Sequence, residues 1–111
     1  MARAAFGFVS VAGFAASGNE RPLIAKPNAG VPRYQDGGLI YDATPPVMAE
    51  FAVLARDLGV RLIGGCCGTT PAHLDAMRQA LIELPRSPRP NAETISARIA
   101  QAMAQTGASE D

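Results

Sequence analysis

Two helix starts of one kind, each preceded by a short apolar run, constrain how this chain can fold. Thr44-Pro45-Pro46 and Thr70-Pro71 each place a capping threonine before proline in a first helical turn, where a missing N–H costs nothing. After the first, Val47, Phe51, Leu54 and Leu58 recur on one helical face, and Gly59 stops the helix. After the second, Leu74, Met77, Leu81 and Leu84 do the same. Ahead of the helices, residues 21–26 (Arg-Pro-Leu-Ile-Ala-Lys) and 60–63 (Val-Arg-Leu-Ile) read as short buried strands. Strand, loop, helix, strand, loop, helix is the pattern of a parallel sheet with crossover helices, an α/β fold.

Two such units do not close a sheet, since a barrel of eight needs about 250 residues and this chain has 111. Between the first strand and the first helix lies a long turn-rich stretch, Pro27-Asn28-Ala29-Gly30, Pro32 and Asp36-Gly37-Gly38. Loops of this length usually carry function. Leu39-Ile40-Tyr41 reads as a brief extended piece inside it. After Leu84, Pro85, Pro88 and Pro90 make an extended linker. A third, weaker helix is expected over 92–105, with Ile95, Ile99 and Ala102 on one side, then a frayed polar end.

The chemistry concentrates in Gly64-Gly65-Cys66-Cys67-Gly68-Thr69-Thr70, which holds both cysteines of the chain. Adjacent cysteines on a regular strand point to opposite faces. Both can meet one metal only where the strand ends and turns, and the flanking glycines allow that turn. Functional groups of parallel α/β folds sit at such strand C-termini. Zinc binds thiolates well, and catalytic zinc takes three protein ligands plus one open position. A thiol bound there is deprotonated and becomes a nucleophile, suited to accepting an alkyl group. The opposing interpretation makes the pair two small buried hydrophobes. A disulfide between neighbours is strained. Reduced thiols suggest a cytoplasmic setting.

The single histidine, His73, either completes the metal site or is a solvated first-turn residue. Thr69 and Thr70 read as cap residues. Asn28 is either substrate-facing or an ordinary turn residue, and Lys26 either supports the site or is solvated. Tyr34 and Tyr41 stand where the long loop could close over a ligand. Ten basic and ten acidic side chains cancel, which leaves no electrostatic footprint for nucleic acid or an anionic membrane. The apolar run from Ala4 to Ala16 has the look of a weak signal peptide or of a buried element, and is too short to span a bilayer.

Residues 64–74, Gly-Gly-Cys-Cys-Gly-Thr-Thr-Pro-Ala-His-Leu, resemble the C-terminal zinc motif of the homocysteine S-methyltransferases. Residues 26–32 (Lys-Pro-Asn-Ala-Gly-Val-Pro) resemble that family's preceding strand-end loop, and residues 41–48 (Tyr-Asp-Ala-Thr-Pro-Pro-Val-Met) the segment opening the helix between them. The tail from Arg86 to Pro90 is most similar to bacterial betaine–homocysteine methyltransferases. The resemblance implies the last two βα units of a (β/α)8 TIM barrel over residues 22–84. An unplaced segment (1–21) precedes them, and a linker, short helix and tail (85–111) follow.

It also implies a zinc cofactor with Cys66 and Cys67 as the final two of three cysteine ligands, and Asn28 as a substrate-binding candidate. The implied partners are homocysteine, methylated to methionine, and a methyl donor, betaine or a methylated folate. The family's first zinc cysteine is expected ahead of residue 22, and residues 1–21 contain none. An incomplete thiolate set and an unclosed sheet lead us to expect little or no activity for the isolated chain, and poor expression or self-association into homo-oligomers. The competing interpretation is a small thiolate metal-binding or redox module, with four thiolates shared across a dimer, or a non-catalytic remnant.

Overall fold

A computed structural model describes residues 21–30 and 32–105. The elements are β1 (Ile24–Ala25), β2 (Pro32–Gln35), β3 (Gly38–Tyr41), α1 (Pro45–Asp57), β4 (Leu62–Ile63), α2 (Pro71–Glu83) and α3 (Ala92–Gln105). The expected order of strands and helices is present. β1 and β4 pair in parallel, Ile24 with Leu62 and Ala25 with Ile63, and α1 is the crossover between them. This two-stranded parallel sheet is compatible with part of a barrel.

α1 is the centre of the packing. Its expected face, Val47, Phe51, Leu54 and Leu58, is buried, and so are Met48, Ala52, Val53 and Ala55. A helix buried on several sides has covering elements on several sides, and here α2 and α3 both pack on it. α3 contributes Ile95, Ile99 and Met103 to that core, and Arg98 pairs with Glu50 across the contact. The C-terminal end of α1 also holds the linker. Arg56 donates to the carbonyls of Leu84 (2.7 Å) and Pro85 (2.9 Å), while the Asp57 carboxylate accepts from Ser87 N–H at 3.2 Å. The two arginine bonds satisfy carbonyls at and just past the C-terminal cap of α2.

Several expectations are corrected here. The strands are not buried throughout: Ile24 and Leu62 are 61% and 57% exposed. They are register partners and so share one face of the sheet, and among the described residues the helices leave that face open. Leu74 and Leu84 are also exposed, and Leu84 lies just past the end of α2. Ile63, Leu74, Met77, Leu81 and Ile82 instead line an open apolar groove between β4 and α2.

The turn-rich stretch is not a plain loop either. β2 and β3 form an antiparallel hairpin, Tyr34 opposite Leu39, around Asp36 and Gly37, both at positive φ (52° and 79°). Asp-Gly between extended residues is the signal for such a turn. Thr44 stands at the start of α1 in extended conformation but makes no side-chain cap bond, and its Oγ1 is buried without a partner.

Ile95 is fully buried between α3 and α1, whereas Ile82 is 63% exposed. Ile95→Ala is expected to cost about 2–5 kcal/mol, and Ile82→Ala less than about 0.5 kcal/mol. Urea unfolding of the two variants checks this; equal losses would contradict the packing of α3.

Candidate functional site

The parallel pairing of β1 and β4 does not stop with the strands. Gly64 N–H donates to Ala25 O at 2.9 Å, Cys66 N–H to Pro27 O at 2.8 Å, and Ala29 N–H to Cys67 O at 2.9 Å. The loop after β1 and the loop after β4 are thus laced together beyond the sheet. The Asn28 side chain belongs to the same lacing, since its Oδ1 accepts from Cys67 N–H at 3.1 Å. The segment from Cys66 to Gly68 turns through Thr69 N–H, which donates to Cys66 O at 3.1 Å.

This backbone presents both cysteines to solvent as free thiols. They are not buried hydrophobes and not a disulfide. Exposure at a strand end, on a hydrogen-bonded turn, is what a metal-ligating or nucleophilic pair requires. Asn28 is brought to the cysteines. Lys26 lies at the end of β1 and is exposed.

His73 is not a solvated residue. It is 8% exposed, and both ring nitrogens are occupied. Nδ1 lies 3.1 Å from the donating Thr70 N–H and 2.8 Å from its Oγ1, and Nε2 lies 2.7 Å from Ala43 O. With Nδ1 accepting, the proton is on Nε2 and donates to Ala43 O. Thr70 Oγ1 accepts in turn from His73 N–H at 3.4 Å, which completes a reciprocal capping box at the start of α2. His73 therefore ties α2 to the segment before α1 and has no free nitrogen for a metal. Thr70 is the cap expected of it. Thr69 is not a cap, and its Oγ1 is buried without a partner.

Two thiolates are half of a tetrahedral zinc set. Among the described residues no group of three or more His, Cys, Asp or Glu gathers into a metal site. The pair fits zinc as a contribution of two ligands and not as a complete site.

Tyr41, expected in an extended piece of a loop that could close over a ligand, packs on the cysteine turn. It ends β3, directly across the hairpin from Pro32. Its ring lies against Gly68, where a Cβ would overlap the ring, and Gly68 has φ +80°. The glycine makes room for a tyrosine as well as for a turn. No spacing rule signals this contact, because it joins the hairpin to a different loop. Burial raises the Tyr41 phenol above its ordinary 10.0, and the charge of Cys67, a hydrogen bond to Cys67 and the charge of Cys66 push the same way. Tyr34, 83% exposed, is across from Leu39, nearer the hairpin tip.

A sequence model of the homocysteine S-methyltransferase family matches residues 6–81. Methionine synthase of Mycobacterium tuberculosis (strain ATCC 25618 / H37Rv) is 39% identical over 69 residues, covering 61% of this chain and 6% of that protein. Methionine synthase of Mycobacterium leprae (strain TN) is 39% identical over 61 residues, covering 54% of this chain and 5% of that protein. The matched region is thus a small fraction of either relative's length.

Two outcomes follow from this geometry. His73→Ala loses the Ala43 bond and half of the capping box and is expected to destabilise the fold by about 1–3 kcal/mol. Zinc affinity, corrected for the folded fraction, should stay unchanged; a selective loss of metal binding would contradict the assignment. In a Tyr34→Phe background, phenolate absorbance should show Tyr41 ionising above its ordinary 10.0. A raised folded-state value means its stabilising contribution is complete below the unfolded-state value. It is lost as pH rises through the folded-state value. Cys67→Ala should move the ionisation back toward the ordinary value.

Proposed function

The chain belongs to the homocysteine S-methyltransferase family, and on that premise we propose that it forms the part of a methyl-transfer site that presents Cys66 and Cys67 to zinc. The observation that carries this reading is the exposed, hydrogen-bonded thiol pair at the end of a parallel strand. The (β/α)8 barrel is the architecture we infer for the complete domain, with β1 and β4 as two adjacent strands. The remaining zinc ligands would come from outside the described residues.

In this role each named group has a task. Cys66 and Cys67 supply two thiolates. Asn28 fixes the backbone of Cys67 through its Oδ1, and its position beside the thiols supports a part in receiving substrate. The lacing of Pro27, Ala29, Cys66 and Cys67 holds the pair at a fixed spacing without covering it. Bound zinc would supply Lewis acidity that lowers the pKa of a substrate thiol. In the reaction the homocysteine sulfur would lose its proton and take a methyl group from the nitrogen of betaine or a methylated folate; the C–N electron pair returns to that nitrogen, which takes up a proton, leaving methionine and the demethylated amine. The open sheet face at Ile24 and Leu62 supports assembly with further chain, including a second copy. No helix among the described residues is long and apolar enough to cross a membrane, and free thiols support a cytoplasmic setting.

Zinc titration against a chromophoric chelator tests this reading. One zinc per chain, bound more tightly when homocysteine is present, is expected. Cys66→Ser or Cys67→Ser should weaken binding at least about tenfold. One zinc per two chains, indifferent to homocysteine, would favour the four-thiolate dimer instead. No thiol-dependent binding would remove both.

A further inference from the structure

Both backbone groups of Cys67 are held by two neighbouring residues of the loop after β1. Its N–H donates to Asn28 Oδ1 at 3.1 Å, and its carbonyl accepts from Ala29 N–H at 2.9 Å. Cys66 is held from one residue earlier, through Pro27 O. Ala29 is fully buried and passes the connection on, because its own carbonyl accepts from Ala43 N–H at 2.9 Å. Gly30 comes next and closes the loop: its N–H donates back to Asn28 O at 2.8 Å, with φ at +87°. A side chain has no room there. A Cβ on Gly30 would run into the Asp42 carboxylate and come within 2.8 Å of Ala43 N. Asp42 and Ala43 belong to the segment between β3 and α1, which thus lies directly on the glycine.

We propose that Gly30 is a positioning residue for Cys67: its bare Cα lets residues 42–43 close on the loop after β1, and that closure fixes the two residues that hold the Cys67 backbone. Ala43 is buried like Ala29, so the bond between them lies out of reach of water and has no ready substitute once broken. Gly30→Ala forces Asp42 and the backbone of Ala43 away, which opens that bond. The cost of positive φ alone would not do this. Gly37, at φ +79°, has open space where its Cβ would stand. The effect falls on Cys67 more than on Cys66, whose anchor Pro27 is further along the chain from the glycine. His73 reaches Ala43 through the carbonyl, so loss of His73 leaves the Ala29 bond in place.

The proposal rests on Cys66 and Cys67 being the working thiolates, and two readouts keep it distinct from that reading. Amide hydrogen exchange followed by NMR, in Gly30→Ala against Gly37→Ala, needs no metal. Both variants force a side chain into a left-handed conformation, but only the first meets Asp42 and Ala43. In Gly30→Ala the Ala43, Ala29 and Cys67 amides are expected to exchange about three- to tenfold faster, the equivalent of one lost hydrogen bond, beyond any change at Leu54 and Ile99 inside the helices. In Gly37→Ala they should move no more than those helical amides do. Zinc affinity, taken per folded chain, should fall about tenfold or more in Gly30→Ala, as when groups that orient metal ligands are disturbed, and hold in Gly37→Ala. Equal effects of the two variants, an unchanged Cys67 amide or an unchanged zinc affinity would overturn the proposal. Should Gly30→Ala fail to fold, Ala43→Pro removes the same donor without adding bulk at residue 30, and must then show the same Cys67 change. If the parent chain takes up no zinc through its thiols, the methyl-transfer reading falls, and the exchange pattern alone decides the role of Gly30.

Discussion

The site depends on hydrogen bonds that continue a parallel sheet after its strands have ended. β1 and β4 are only two residues each, too short to hold much by themselves. The bonds from Gly64 to Ala25, Cys66 to Pro27 and Ala29 to Cys67 extend the pairing through the turns. The backbone on both sides of each cysteine is therefore spoken for, while the thiols are left outside. A loop tethered in this way can be exposed without being loose. Asn28 adds a side-chain bond to the same place, and the buried His73 fixes the helix that follows.

The surrounding packing has one purpose for the site, which is to hold the two loops in register. α1 spans the crossover and is buried on several sides, so the distance between the ends of β1 and β4 is set by a rigid element. Arg56 and Asp57 pin the start of the linker to that same helix. By contrast, the sheet face at Ile24 and Leu62 and the groove beside Leu74 and Ile82 are left open. Apolar surface of this kind is available for packing against further protein, and the matched region is a small part of the methionine synthases of M. tuberculosis and M. leprae.

Much of the fold was legible from local signals. Threonine–proline starts and apolar spacing located α1 and α2, and the same spacing located α3 at 92–105. The cysteine pair was legible because glycine-flanked thiols after an apolar run admit few structures. What escaped had physical causes. Asp36-Gly37 is a hairpin signal, but it was submerged in a stretch full of other turn residues. The exposure of Ile24 and Leu62 depends on what covers the sheet, and periodicity carries no information about that. His73 looked like an ordinary first-turn residue because its partner, Ala43 O, is thirty residues away. Tyr41 was expected in an extended piece of the long loop, but its packing on Gly68 was not legible, since that contact joins two separate loops.

X-ray absorption at the zinc edge, on the zinc-loaded chain with and without homocysteine, tests the central claim most directly. Two sulfur neighbours at about 2.3 Å, rising to three when homocysteine is added, is the result this account predicts. A zinc shell of oxygen and nitrogen alone, or four sulfurs that ignore homocysteine, would contradict it.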